Sequence, residues 1–247
     1  ITKLTDNDTY DGWTCWSKDG SQIYFSSKRD GNEEIYVMKA DGGGAKRLTE
    51  NPARDVCPSL SPDGKELVFV SDRDGNADLY IMAVDGSTTD RLTSTTSKEH
   101  NPQWSPTADQ IACYVTVEGE NDKLMVVDAA SGEARSLGSD TSKSIYPSWS
   151  ADGQSLIYVC SPAEGEKWVF QATLDGSKDE KLLPLPAFYA TYSPDGKRVA
   201  YIAGAWPASN IYVIDYTDGT LRCLTCDQSL APAPPPAIAN KKNKSGK

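Results

Sequence analysis

The chain has 247 residues, of which 38% are hydrophobic and 24% are charged, a composition typical of a globular protein with a sizeable core. Its 25 Lys and Arg against 35 Asp and Glu give a formal net charge of −10, which excludes a general nucleic-acid binder because phosphates require a basic surface. No run of about 18 apolar residues occurs, so no membrane-spanning helix is predicted.

The N-terminus carries no information about the compartment. The chain begins at Ile1 instead of a methionine, and no signal peptide is visible. We therefore expect a processed or trimmed N-terminus.

A short turn element recurs along the chain at a regular interval. It reads SKDG, SPDG, SPTA, SADG and SPDG, with steps of 44, 44, 45 and 43 residues between its copies. The copies begin at Ser17, Ser61, Ser105, Ser150 and Ser193. A fixed period of this length indicates a repeat architecture, and we bound the units at residues 6–50, 51–94, 95–139, 140–184 and 185–227.

Each unit has the pattern of four short strands separated by three turns. In the second unit Pro62 presets the first corner of a turn and Gly64 can take positive φ, so the chain reverses there. Gly75 and Gly86 mark the next two turns. Second strands are predicted at 23–26, 67–70, 111–114, 156–159 and 199–202, and third strands at 35–38, 79–82, 124–127, 168–171 and 211–214. No amphipathic helix is predicted.

The stretch SDRDGNADLYIM, residues 71–82, raises the question of a metal loop. Asp72, Asp74, Asn76 and Asp78 are two residues apart, as in the first half of a calcium loop. The glycine at the sixth position and the glutamate at the twelfth are missing, and the following segment alternates like a strand. The stretch therefore predicts a hairpin loop in which Asp74, like Asp30 in the first unit, is a turn residue.

Four antiparallel strands in about 45 residues match one blade of a β-propeller. Such blades are covered on both faces, which explains the nearly continuous apolar strands. Bulky side chains at one repeating position are predicted to pack between blades: Trp16, Leu60, Trp104, Trp149 and Tyr192.

The repeated motifs resemble those of a known family. P-x-W-S-P-D-G, then S-x-R-D-G-N-x-x-I/L-Y-x-M and D-G-x…R-L-T, resemble the TolB-type β-propeller repeat over about residues 1–227. The resemblance implies an all-β propeller of four-stranded antiparallel blades and a periplasmic or secreted location. Similar repeats occur in propellers attached to serine peptidases and in polysaccharide lyases, so the fold alone leaves the function open.

The number of blades has two interpretations. Residues 1–5, ITKLT, match the KRLT of 46–49 and look like a fourth strand without its first three. They would either augment the last blade and close a five-bladed ring, or belong to a longer propeller, part of a six-bladed one, whose missing blade begins upstream. The resemblance implies six blades, and the five repeats depart from that number; the five-bladed ring is the interpretation we favour.

Two features lie outside this pattern. Residues 228–247 are rich in Pro and Lys and are predicted to be a linker or disordered tail, with a docking motif as the alternative. Cys113 and Cys160 lie in apolar strands and are predicted to be buried thiols. Cys223 and Cys226 in CLTC form either a local disulfide or two unpaired thiols, since a chain with a single His offers too few further ligands for zinc.

Acidic residues are predicted at one rim of the propeller. Asp11, Asp55 and Glu99 occupy one repeating position just before the first strands, next to the only histidine, His100. Facing the mouth of the channel, they would favour a cation or a basic peptide. They form the candidate site for a Ca²⁺ cofactor, whereas the alternative is that they cap turns through their side chains.

Aromatic side chains are predicted at the same rim. They are Trp13, Tyr146, Phe188, Tyr189 and Trp206. These residues would clamp a peptide or stack on a sugar, or else pack between blades.

No catalytic constellation is found. The sequence contains no G-x-S-x-G elbow, no G-x-G-x-x-G and no Walker element. We interpret the chain as a non-enzymatic propeller that binds a protein or peptide, a basic one in particular, through its acidic rim. The alternatives are a metal-dependent carbohydrate-active or carbohydrate-binding propeller and the gating propeller of a larger hydrolase.

Overall fold

A computed structural model describes residues 2–138, 142–161, 167–183, 186–204 and 209–226. These residues form five four-stranded antiparallel sheets arranged in a ring, a five-bladed β-propeller. The predicted fold class is confirmed. The described residues contain no helix, and thus none with the length and apolar character needed to cross a bilayer.

Each blade is built from four consecutive strands, from the channel outwards. Blade 1 contains β1 (Asp11–Trp16), β2 (Gln22–Ser27), β3 (Glu34–Lys39) and β4 (Lys46–Arg47). Blade 2 contains β5 (Asp55–Leu60), β6 (Glu66–Ser71), β7 (Asp78–Ala83) and β8 (Thr89–Arg91). Blade 3 contains β9 (Lys98–Trp104), β10 (Gln110–Thr116), β11 (Lys123–Asp128) and β12 (Ala134–Leu137).

The last two blades repeat this order. Blade 4 contains β13 (Lys143–Trp149), β14 (Ser155–Ser161), β15 (Trp168–Thr173) and β16 (Asp179–Lys181). Blade 5 contains β17 (Phe188–Tyr192), β18 (Arg198–Ala203), β19 (Asn210–Asp215) and β20 (Leu221–Cys223). The predicted second and third strands all lie inside the observed ones.

The SPDG turn is held by its own side chains. In blade 2 the Ser61 hydroxyl donates to Asp63 over 2.8 Å and accepts from the backbone N–H of Glu66 over 3.0 Å. Gly64 has a φ of 77°, which a glycine adopts at little cost. This turn returns the chain from β5 to β6.

The RDGN loop ties neighbouring blades together. Asp74 accepts a hydrogen bond from the Tyr80 hydroxyl and lies 3.7 Å from the Arg91 guanidinium. The Asn76 amide donates to the carbonyls of Thr95 (3.0 Å) and Ser97 (2.6 Å), which lead into the next blade. The predicted hairpin loop is therefore observed at residues 71–82.

Within the described residues, the core contains five apolar clusters, of which four lie between successive blades and the fifth, of Ile23, Phe25, Tyr36 and Met38, lies on blade 1. Inner strands pack β1 on β5, β5 on β9, β9 on β13 and β13 on β17. Trp104 and Trp149 are each 7% exposed at two of these junctions. Leu60 packs on the cluster between blades 1 and 2, and Tyr192 packs on the cluster between blades 4 and 5. Burial of a large apolar side chain contributes about 1.5–3 kcal/mol to the free energy of unfolding.

The outer faces of the first and last blades differ from the other sheet faces. Among the described residues, no comparable packing joins blade 5 to blade 1. Trp16 is therefore 57% exposed, and Ile211 is 40% exposed although its counterpart Leu79 is fully buried. The prediction of inter-blade packing is wrong for Trp16, because no sheet covers that face.

The N-terminal residues lie beside blade 1 without joining a sheet. The Leu4 carbonyl oxygen is 2.5 Å from the position that a Cβ on Gly42 would occupy, and the Leu48 carbonyl has the same relation to Gly86 at 2.8 Å. Residues 2–5 thus take the place of an outer strand of a preceding blade. They do not augment blade 5, which has its own fourth strand, β20.

The cysteines separate into two groups. Cys223 and Cys226 form a disulfide, which selects one of the two predicted alternatives. Cys113 and Cys160 are unpaired and buried, as predicted. The tail at 228–247 lies outside the described residues.

Candidate binding site at the channel mouth

The five inner strands share one irregular position. Each strand shifts its register there, and the residue takes a positive φ of between 41° and 59°. The residues at this position are Trp13, Cys57, Asn101, Tyr146 and Tyr189. A β-bulge frees a residue from the ladder and redirects its side chain, and a non-glycine residue with positive φ costs about 1 kcal/mol or more. The repeated bulge is a structural feature of the channel wall.

Four aromatic rings from three blades form a continuous row, which we call the aromatic mouth: His100, Tyr114, Tyr146 and Tyr189. The ring of His100 lies 4.9 Å from that of Tyr114, Tyr114 lies 5.6 Å from Tyr146, and Tyr146 lies 4.2 Å from Tyr189. Tyr189 is 42% exposed, so one end of the row is open to solvent.

The aromatic mouth carries no charge of its own at neutral pH. Burial raises the pKa of Tyr114 and of Tyr189 above the ordinary tyrosine value. Burial also lowers the pKa of His100, and nearby cations lower it further although Asp122 opposes them. The rings therefore act as neutral stacking surfaces whose hydroxyl and imidazole groups can form hydrogen bonds.

A cleft of about 320 Å³ opens beside the row, between blades 4 and 5. Its wall is mainly apolar and includes Ile145, Tyr146, Val159, Phe188, Tyr189 and Ile202. The ammonium of Lys167 lies 5.0 Å from the centre of the Phe188 ring at the edge of the cleft. The volume suits one or two apolar side chains of a partner.

The predicted aromatic residues are only partly brought together. Tyr146, Phe188 and Tyr189 line the cleft. Trp13 instead packs on the apolar cluster between blades 2 and 3. Trp206 lies outside the described residues. Tyr114 is a member of the row that the sequence analysis missed, because it is in a second strand and not at the bulge.

Two of the predicted rim carboxylates are held by internal ion pairs. Asp11 accepts from Arg29 over 3.1 Å and from Asn7 over 2.7 Å. Asp55 is fully buried and accepts from Arg73 over 2.8 Å and from Asn51 over 2.9 Å. Each carboxylate is thus paired with an arginine, although burial still raises the pKa of Asp55.

Glu99 occupies the same position in blade 3 but lacks these partners. Blades 1 and 2 have Ser27 with Arg29 and Ser71 with Arg73 around the carboxylate, whereas blade 3 has Val115 and Val117. One oxygen of Glu99 accepts from Thr95 over 2.8 Å, and the other is buried without a hydrogen-bond donor. Burial raises the pKa of Glu99 to about 7, and the nearby Asp78 adds to this effect.

The expected open acidic rim is therefore not what the structure shows. Asp55 and Glu99 are buried under the loops, and the Asp11 side chain is only 14% exposed. Among the residues that the structure describes, no three His, Cys, Asp or Glu side chains are grouped to hold a metal. The geometry gives the Ca²⁺ interpretation no support, and His100 stacks on Tyr114 instead of joining the carboxylates.

Asp55 and Glu99 are each preceded by a cation, and the same repeat position in blade 4 holds Lys143 before Ser144. The sequence analysis missed these cations. Arg54, Lys98 and Lys143 follow one another at steps of 44 and 45 residues. Neighbouring side chains of a strand point to opposite faces. Where the acid points into the protein, the cation before it therefore points towards solvent. The side chains of Arg54 and Lys143 are 52% and 51% exposed, and Lys98 is exposed.

Comparison with known proteins identifies the family. The model of the TolB beta propeller domain matches residues 1–189. The chain belongs to the TolB β-propeller domain family. The match covers more than half of the chain, and the fifth blade completes the same repeat in the structure.

Solved structures show the same fold at low sequence identity. TolB from Acinetobacter baumannii superposes with a TM-score of 0.73 and 19% identity over 86% of this chain and 53% of its own. A putative TolB from Agrobacterium tumefaciens gives a TM-score of 0.76 and 18% identity over 89% of this chain and 82% of its own. Oligogalacturonate lyase from Vibrio parahaemolyticus gives a TM-score of 0.62 and 14% identity over 90% of this chain and 80% of its own.

These likenesses concern the fold alone. The chain spans about half the length of the Acinetobacter TolB. The neighbours include a lyase, so this TolB-family fold supports different functions, and the site has to decide between them.

Proposed function

We propose that this TolB-family propeller is a non-enzymatic scaffold that binds a protein or peptide at the aromatic mouth. The observation that carries the proposal is the row of rings from His100 to Tyr189 beside the cleft of about 320 Å³. Aromatic anchors beside an apolar pocket dominate the energetics of many interfaces. The blades hold these rings rigidly, so little conformational entropy is lost on binding.

The mouth replaces the acidic rim as the proposed contact surface. Asp11, Asp55 and Glu99 are committed to internal contacts, so they act in the proposal as structural groups beneath the surface. The same commitment weakens the alternative of a metal-dependent carbohydrate-active propeller, which would need these carboxylates as ligands.

We place the protein in the periplasm or outside the cell. The resemblance to TolB-type repeats motivates this location, and the Cys223–Cys226 disulfide fits an oxidising compartment.

A displayed library of random peptides, selected on the purified protein, tests the proposed function. We expect Tyr146→Ala and Tyr189→Ala each to weaken the selected peptides about tenfold in fluorescence anisotropy, because each removes a stacking surface. Trp16→Ala is the matched control, since Trp16 is an exposed aromatic residue on the outer face of blade 1. Equal binding by all three variants, or selection of no binder, would rule the mouth out as the binding surface.

A further inference from the structure

We infer that the segment bound at the aromatic mouth is acidic: an apolar or aromatic side chain enters the cleft, and neighbouring Asp or Glu side chains meet a surrounding arc of cations. The inference rests on the proposed function and adds the charge of the partner, which is opposite to the one that the sequence suggested. We call Arg54, Lys98, Lys143 and Lys167 the cation arc.

The cation arc and the aromatic mouth occupy the same region. Lys98 begins β9, which carries His100, and Arg54 and Lys143 lie at the equivalent ends of β5 and β13, the inner strands that pack on β9 from either side. Lys167 lies over the Phe188 ring and lines the same cleft as Tyr146 and Tyr189. The row of rings thus has positive charge near both ends.

Two members of the arc are available for new ion pairs. Arg54 is paired with Glu33 at 2.6 Å and Lys143 with Asp122 at 2.7 Å. Neither Lys98 nor Lys167, both exposed, has an ion pair within the described part of the chain. Lys98 is two residues before His100 in β9, and Lys167 lines the cleft.

Among the residues that the structure describes, the carboxylates of this region pair with Arg54 and Lys143 and leave Lys98 and Lys167 without an ion pair. Glu99, in the position after Lys98, is buried, and its raised pKa leaves about half of it protonated at neutral pH. Glu33 and Asp122, from loops between second and third strands, reach the same region, but each is held in an ion pair, with Arg54 and Lys143 respectively. Lys98 and Lys167 thus place positive charge, unpaired within the described ranges, beside the aromatic mouth of a protein whose net charge is −10.

The chemistry of the arc favours carboxylates over other groups in a peptide. Lysine ammonium groups form charge-assisted hydrogen bonds with carboxylates, and their field accelerates encounter with an acidic segment. A basic segment would meet like charges beside the cleft, which disfavours it. The expected partner is thus an extended acidic peptide with at least one aromatic or branched aliphatic residue.

Three displayed peptide libraries test the inference, with the same randomised core and with Asp/Glu, Ser or Lys flanks. We expect the best acidic binders to exceed the best Ser-flanked ones about tenfold in affinity, and to weaken several-fold between ~50 and ~300 mM NaCl, since salt screens exposed charges. Lys-flanked peptides should bind most weakly.

Variants of single lysines localise the effect. Lys98→Ala and Lys167→Ala should each weaken the acidic peptides about threefold to tenfold and leave the Ser-flanked peptides unchanged. Lys65→Ala is the control, because Lys65 is an exposed lysine in the SPDG turn of blade 2, at the opposite end of the strands.

The outcomes separate the inference from the proposed function. If Ser- or Lys-flanked peptides bind as tightly as acidic ones and still depend on Tyr189, the acidic partner is wrong and the peptide-binding mouth stands. If no library yields a binder that depends on Tyr189, both proposals fail.

Discussion

Glu99 is a buried carboxylic acid at a repeat position where the two preceding blades hold an ion-paired aspartate. Val115 and Val117 stand where blades 1 and 2 have a serine and an arginine, so two donors are missing beside Glu99. One of its oxygens is buried without a hydrogen-bond partner, as is Oδ1 of Asp55. A buried acid in this situation is stabilised by keeping its proton, which it can share with Asp78.

This acid should make the stability of the protein depend on pH. Its folded pKa is about 7 against 4.5 in the unfolded chain, so the native state holds a proton that the unfolded state has released between these values. The free energy of unfolding should therefore fall as pH rises from 4.5 to 7, by about 2 kcal/mol. Urea unfolding across this range measures the fall.

Glu99→Gln isolates the contribution of this residue. The amide keeps the acceptor for Thr95 and supplies a permanent donor towards Asp78, so the variant should be more stable than the wild type above pH 7. His100 acts in the opposite direction, since its lowered pKa costs stability as pH falls, and it is present in both proteins. Parallel pH profiles of the two proteins would show that Glu99 is ionised in the folded state.

The inner strand of each blade contributes one residue of irregular backbone to the channel wall. Its bulge places one residue of each blade in the left-handed region, and the identity of that residue differs between blades while the backbone does not. In blades 4 and 5 the residue is a tyrosine, and two such tyrosines from neighbouring blades meet at 4.2 Å. The proposed binding surface thus combines a strained backbone position repeated in every blade with a side chain that differs between blades.

Asn101 tests the backbone of this element. Its φ of 51° suits Asn or Gly but not a β-branched residue. We expect Asn101→Val to lower the free energy of unfolding by about 1–2 kcal/mol and Asn101→Gly to change it by less than about 0.5 kcal/mol. Equal urea midpoints for the two variants would mean that the bulge does not hold this residue at positive φ.

At the scale of the whole molecule, stability depends on which sheet faces are covered. Trp16, Trp104 and Trp149 share one repeat position, yet the last two are 7% exposed and Trp16 is 57% exposed. The difference follows from the neighbouring blades. The inner strand β5 packs on β9, which carries Trp104, and β9 packs on β13, which carries Trp149, whereas no described sheet packs on the corresponding face of blade 1.

The tryptophan series measures this difference directly. Trp104→Ala and Trp149→Ala should each cost about 3–5 kcal/mol, because each leaves a cavity in an inter-blade core. Trp16→Ala should cost less than about 1 kcal/mol, as a surface substitution does. Urea unfolding of the three variants provides the comparison, and a large loss for Trp16→Ala would show that its face is covered in solution.

The local structure follows largely from sequence. The SPDG and RDGN turns, the alternation of the strands and the period of 43 to 45 residues depend on contacts within one unit or to the next, so they were predicted correctly. Asp74 as a turn residue and Cys113 as a buried thiol are further examples.

The candidate site was less accessible to prediction. Asp55 and Glu99 were recognised as a repeated acidic position. Whether these acids or the cations before them face solvent depends on the nearby bulge, which no residue type in the sequence predicts. Tyr114 joins Tyr146 only because blades 3 and 4 pack side by side.

The sequence by itself determined the repeating blade, because turns and strands are set by neighbours close along the chain. Only the tertiary structure decided which charges are exposed at the mouth, which aromatic rings stack and which tryptophan remains open to solvent. Those properties depend on how residues far apart in the sequence meet between neighbouring blades. The same residue type at the same repeat position is buried or exposed according to the sheet beside it.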